Sequence, residues 1–174
     1  MTGKDLKRQQ MEIAVELVRQ GSQSEVLVDQ VMTPRPNCIS AESSVLELVR
    51  LLHEREFRHP LVTDAAGRLV GVVSDRDVLR CFGPGTYPEE HRLAAIKTSE
   101  IMSTDLITLS PRTPLLTAVR MMFDYGINCL PVVEGYFPVG ILTTTDLYLV
   151  LETLLQSLHP PQVESSLHSD AIQS

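Results

Sequence analysis

Tryptophan is absent from this 174-residue chain, and aromatic residues make up only 5% of it. A core must therefore be assembled from Leu, Val, Ile and Met. Positive charge is also short, with 15 Lys and Arg against 22 Asp and Glu and a formal net charge of −7. Neutralising nucleic-acid phosphates takes a basic surface, so this balance argues against a nucleic-acid partner. It gives no reason to expect binding to anionic lipid either. No segment approaches the roughly 20 consecutive apolar residues of a spanning helix. The polar stretch from Lys4 to Arg8 is not followed by the apolar core of a signal peptide. A cytoplasmic protein with no membrane partner is expected.

Cysteine is scarce too. Cys38, Cys81 and Cys129 are odd in number, widely spaced and near no cluster of histidines. The paired spacings of a zinc site or disulfide framework are missing, which leaves three reduced, mostly buried thiols. Histidines 53, 59, 91, 159 and 168 make no catalytic-triad or metal-ligand spacing. Neither a Gly-x-x-x-x-Gly-Lys-Ser/Thr loop nor a Gly-x-Gly-x-x-Gly turn occurs. The expectation is a protein without catalytic residues, metal or cofactor.

What is present is a repeat. The 43% hydrophobic and 21% charged content is that of an ordinary globular protein. Within it, Val31-Met32-Thr33 recurs 70 residues later as Ile101-Met102-Ser103. At that offset Ser40 meets Ser110, Leu46 meets Leu116, Val49 meets Val119 and Arg50 meets Arg120. A one-residue gap then aligns Pro60-Leu61-Val62 with Pro131-Val132-Val133. Further on, Val70-Gly71 meets Val139-Gly140 and Asp77 meets Asp146. Two copies are too few for a solenoid, so a face-to-face pair sharing one apolar surface is expected.

Each copy reads as strand, helix, strand, strand, helix, an α/β (α+β) unit. Short strands fall at Cys38 to Ser40 and Ile107 to Leu109. Helix-start signals follow at Ala41-Glu42-Ser43-Ser44 and at Ser110-Pro111-Arg112-Thr113-Pro114. Val45, Leu48, Val49 and Leu52 then carry the spacing of one buried helix face, as do Leu115, Ala118, Val119 and Met122. Strand pairs come next, with turns at Asp64-Ala65-Ala66-Gly67 and Glu134-Gly135. Final helices start near Asp77 and Asp146. A Gly- and Pro-rich linker runs from Gly83 to Pro88, and Glu89 to Ile96 makes a short helix. The expected organisation is an amphipathic helix within residues 1–25, with Leu6, Ile13, Ala14, Leu17 and Val18 on one side. The first repeat spans 26–82, the linker 83–97 and the second repeat 98–158, the last ending in the apolar helix from Leu147 to Leu158. A disordered tail covers 159–174.

Both copies close on one pattern, as Gly71-Val72-Val73-Ser74-Asp75-Arg76-Asp77 and Gly140-Ile141-Leu142-Thr143-Thr144-Thr145-Asp146. With the opening Val/Ile-Met-Thr/Ser and the Pro-containing strand, each copy resembles a cystathionine-β-synthase (CBS) domain. The resemblance covers roughly residues 26 to 157. It implies two domains about a pseudo-twofold axis, with clefts between them for AMP, ADP, ATP or S-adenosylmethionine. It further implies that Asp77 and Asp146 bind ribose hydroxyls, Ser74 and Thr143 touch phosphate, and Ile39 and Leu109 lie near adenine. Arg58 and His59 stand where some members hold phosphate, a place taken by Asn128-Cys129 in the second copy, and Arg76 adds a cation.

The chemistry is reasonable by itself. A carboxylate accepts two hydrogen bonds and suits a cis-diol, and a helix start offers N–H groups to a phosphate. The same Ser/Thr-x-x-Asp pattern also reads as a capping box, which requires no ligand. Arg58 and His59 read equally as a solvated loop.

Two functions follow. One is a non-catalytic regulatory module sensing an adenosine-containing ligand and acting on an effector protein in trans. The alternative is a structural CBS pair with no physiological nucleotide. A homodimer is expected through helix faces, because Leu51 and Met121 point away from the core arc while Leu46 and Leu116 lie at its margin. The opposing reading is that these four widen the core or are single exposed residues.

Overall fold

The computed structural model describes residues 9, 11–12, 15–16, 25–55, 59–82 and 89–158. The Gly83 to Pro88 linker, the expected disordered tail and Leu6, Ile13, Ala14, Leu17 and Val18 lie outside these residues. In chain order the elements are β1 (Thr33–Pro34), β2 (Cys38–Ser40), α1 (Val45–Arg55), β3 (Leu61–Thr63), β4 (Leu69–Val72), α2 (Asp75–Arg80), α3 (Glu90–Ala95), α4 (Leu115–Tyr125), β5 (Cys129–Glu134), β6 (Phe137–Thr143) and α5 (Thr144–Leu158). Single 3₁₀ turns lie at Val28–Gln30 and Thr98–Glu100.

Local chemistry sets the boundaries. Before α1, the Ser44 backbone N–H donates to Glu47 Oε2 at 2.8 Å and the Glu47 N–H to Ser44 Oγ at 3.2 Å. That reciprocal cap satisfies two N–H groups the helix leaves unpaired, and it holds the Glu47 carboxyl below the ordinary range. At the end of α4 the chain turns left-handed at Gly126 (φ 64°), whose N–H returns to Met122 and Phe123 carbonyls.

The two sheets have the orders β2-β3-β4 and β1-β6-β5. In the first, β2 runs parallel to β3 and β3 antiparallel to β4. Their register corrects the sequence alignment. Ile39 lies opposite Val62 as Leu109 lies opposite Val132, so Leu61 corresponds to Pro131 and no gap falls there. Pro60 thus occupies the place of Leu130. This substitution explains a second departure, since the strand expected at Ile107 to Leu109 is reduced to a parallel bridge at Leu109. Leu61 donates its N–H to Asn37 O at 2.9 Å and extends the β2 ladder. Pro131 has no N–H to give, so the matching rung toward Ile107 cannot form.

The opening segments are exchanged between copies. β1, which opens the first copy, pairs with β6 of the second, Thr33 opposite Ile141. Ser103, which opens the second, bridges Val72 of the first. Asp29 N donates to Pro111 O and Ser99 N to Ala41 O, each at 3.0 Å. The pseudo-twofold therefore extends to single hydrogen bonds. It also explains both motif glycines. A Cβ on Gly71 would overlap the Met102 sulfur and lie 2.8 Å from its Cγ, and one on Gly140 would overlap the Met32 sulfur. Each opening methionine packs flat on the other copy's last strand.

Two cores result. One gathers Ile39, Val45, Leu48, Val62, Val73, Val78 and Leu93. The other gathers Met11, Val28, Val31, Leu109, Ala118, Met122, Leu130, Val132 and Leu142. Leu51 and Met121, expected to point outward, are half-buried and pack against these cores. The 100° arc omitted what lies across the helices. α3 packs on α1 through buried Leu93, and helical Met11 is fully buried in the core that Met121 joins. Leu46 is likewise half-buried, but Leu116 and Val119 are exposed.

Candidate functional site

Each motif carboxylate sits where a strand ends and a helix begins. The Ser74 N–H and Oγ–H both donate to Asp77 Oδ2, at 2.8 and 2.7 Å. Thr143 does the same to Asp146 Oδ2, at 2.6 and 2.8 Å. The capping geometry is thus present in both copies, as the Ser/Thr-x-x-Asp spacing allows. The second oxygens differ. Arg80 Nη1 lies 3.1 Å from Asp77 Oδ1, and the Asp77 side chain is 12% exposed. Thr33 Oγ donates to Asp146 Oδ1 at 3.3 Å, and Asp146 is only 1% exposed.

The site is shared between copies. Thr33 reaches Asp146 because β1 is exchanged. Cys129, at the start of β5, is pushed up to about 11, first by burial and then by the carboxylate of Asp77 in the other copy. Cys81 Sγ sits 3.3 Å from Asp77 O on the same helix, and burial and the same carboxylate raise its thiol too. The Asp77 carboxylate therefore raises both thiols, Cys81 of its own copy and Cys129 of the other. Thr33, Arg80 and Cys129 were not singled out from sequence as partners of these carboxylates. Arg80 stands three residues after Asp77 on a helix, a legible spacing, whereas the cross-copy contacts depend on the strand exchange.

The other expected site residues are scattered. Ile39 and Leu109 have their side chains inside the cores. Leu109 lies opposite Val132, whereas Thr143 lies opposite Cys129, three residues and roughly 10 Å along β5. Leu109 instead borders an open cleft of about 530 Å³ at the far end of that sheet, with Asp29, Ser110, Arg112 and Glu134. None of Ser74, Asp77, Thr143 and Asp146 lines that cleft. Arg76 is exposed on the first turn of α2, and His59 is half-buried before β3. Arg58 lies outside the described residues. Among those residues no group of three or more His, Cys, Asp or Glu could hold a metal ion, and no helix is long and apolar enough to cross a membrane.

The sequence profile of the CBS domain matches the chain twice, over residues 28–83 and 99–153. The chain belongs to the CBS domain family. A protein of Thermofilum pendens described only as a 33.4 kDa product of a ribosomal RNA operon is 32% identical over 125 residues, 71% of this chain and 39% of that one. Among solved structures, the CBS domain pair of protein MJ0100, in complex with 5′-methylthioadenosine and S-adenosyl-L-methionine, is 25% identical with a TM-score of 0.62. It covers 72% of this chain, which in turn spans 98% of it. The cytosolic domain of the Mg²⁺ channel MgtE, in complex with ATP, is 29% identical with a TM-score of 0.56 over 68% of this chain and 46% of that one. The chain spans only 39%, 15% and 22% of the length of three curated relatives.

Proposed function

We propose that this CBS pair is a non-catalytic sensor of an adenosine-containing ligand, held between the copies and read by an effector protein in trans. The observation that carries this reading is the cross-copy construction of the motif sites. Thr33 of one copy bonds Asp146 of the other, and the Asp77 carboxylate acts electrostatically on the Cys129 thiol across the same boundary. A ligand held there contacts both copies at once and so fixes their relative position, which is what a sensor needs. The MJ0100 pair and the MgtE domain, solved with adenosine compounds, lend support from similar chains.

We propose that His59, the counterpart of Cys129 under the pseudo-twofold, and Arg58 before it in the sequence serve the Asp146 cleft. That cleft is the one we expect to take a phosphorylated ligand such as AMP, ADP or ATP. The Asp77 cleft faces a neutral thiol and suits a ligand without phosphate there, such as S-adenosylmethionine. We further propose that the protein acts as a homodimer.

A second reading, the structural pair without nucleotide, is favoured by the depth of Asp146. With both oxygens engaged and 1% exposure, it must open before a diol can reach it.

A thermal screen separates the two. A ligand at 100 times its dissociation constant stabilises by about 2.7 kcal/mol, or roughly 5 to 10 °C for a chain of this size. AMP, ADP, ATP and S-adenosylmethionine at millimolar concentration are the probes. Asp77→Asn and Asp146→Asn keep a good cap, so at least one should lower affinity about tenfold while costing under about 1 kcal/mol. If no compound shifts the melting temperature, the structural reading stands instead.

A further inference from the structure

The open cleft beside Leu109 takes no part in the motif sites, and its charges differ from those at the matching place of the first copy. By the strand register and the repeat, Asp29, Arg112 and Glu134 correspond to Ser99, Glu42 and Asp64. In the first copy both carboxylates are engaged by neighbours. Glu42 pairs with Lys97 Nζ at 2.6 Å. Asp64 accepts the N–H groups of Ala66 and Arg68 and pairs with the Arg68 guanidinium at 2.6 Å. In the second copy Leu27 stands in the place of Lys97, and Phe137 in that of Arg68. The cations are gone and the carboxylates remain. Among the described residues, Asp29 Oδ1 is buried with no hydrogen-bond partner, and Asp29 Oδ2 has Arg112 Nη1 only at 3.9 Å. Glu134 is exposed and lines the same cleft without an ion pair among those residues.

We propose that this cleft binds a cationic N–H donor, an ammonium or guanidinium group, at a site distinct from both motif clefts. A buried carboxylate oxygen without a donor is an unfavourable arrangement, and a charged N–H relieves it with a short, strong hydrogen bond. Two carboxylates against one guanidinium leave the cleft net negative, so it attracts a cation and repels phosphate. A metal ion lacks the ligands, since no group of three His, Cys, Asp or Glu is assembled among the described residues. The volume of about 530 Å³ is instead that of a site for an organic group. The same chemistry is offered by a free amine or guanidine and by a Lys or Arg side chain of a partner protein. The site stands whether or not the motif clefts take a nucleotide.

NMR shift mapping on the full chain tests the site with two probes, agmatine, which carries both groups, and the peptide acetyl-Gly-Arg-Gly-amide. Agmatine should bind with a dissociation constant on the order of 1 mM or below. It should move the amides of Asp29, Ser110, Arg112 and Gly135 and leave those of Ser74 and Asp77 in place. Asp29→Asn keeps the shape of the side chain and should raise the constant at least about tenfold without lowering the melting temperature. Glu42→Gln removes a charge from the matching place of the first copy and should leave binding unchanged. A peptide that binds at least as tightly as agmatine assigns the site to a protein side chain, and tighter binding of agmatine assigns it to a free cation. Failure of both probes at roughly ten times that concentration overturns the proposal. Binding that Asp29→Asn leaves intact, or that Glu42→Gln weakens equally, also overturns it, because the acidic chain then attracts cations at large. So does a response of these amides to inorganic phosphate and not to agmatine, which would make Arg112 the anchor.

Discussion

Cys129 shows how much a neighbour across a domain boundary can do. Burial and the Asp77 carboxylate push its thiol up to about 11 from 9.0. The folded state therefore holds this proton more tightly than the unfolded one. The stability this supplies is complete below pH 9 and is lost as pH rises through 11. At 1.36 kcal/mol per unit, the alkaline loss approaches about 2 to 3 kcal/mol. Urea unfolding between pH 8 and pH 11 should show that decline, and Cys129→Ala should flatten it. An unchanged alkaline slope in the variant would place the titration elsewhere. The residue scale is also where sequence reading was weakest. The caps joining Ser74 to Asp77 and Thr143 to Asp146 were legible because a local four-residue spacing carries them. Ile39 and Leu109 were chosen by likeness, and side chains on alternate faces of a strand cannot be assigned to cleft or core without the partner sheet.

At the scale of elements, the repeat and its helix starts were legible because capping and periodicity act within a few residues. Strand partners were not. Matching the two prolines forced a gap, whereas the sheet register is set by ladder hydrogen bonds that Pro131 interrupts and Leu61 does not. The exchange of β1 left its trace in the sequence only as Gly71 and Gly140, whose meaning appears once the methionines lie on them. Gly140→Ala should destabilise by about 1 to 3 kcal/mol through overpacking. In a Met32→Ala background the added cost should fall below about 0.5 kcal/mol, because the clash is gone. Additive costs in chemical denaturation would mean that these residues do not touch. Only a cross-copy contact couples positions so far apart in the chain.

Considered whole, the molecule depends little on the peptide bonds between its repeats. Residues up to 82 contain one complete set of elements and residues from 89 the other, yet each set lends its opening arm to its neighbour's sheet. A chain cut within 83–88 therefore yields two fragments that hook into each other. Protease insertion or separate expression should give pieces that co-elute and together recover the melting profile, while either piece alone stays unfolded or self-pairs. Independent folding of a fragment as a monomer would contradict the exchange. In these terms the tandem chain is a domain-swapped dimer that has been fused. The tether replaces a concentration-dependent encounter with an effective concentration on the order of millimolar. A single repeat of this kind could exist only as a pair, and duplication would have made that pairing permanent while freeing the two halves to diverge, as His59 and Cys129 have done.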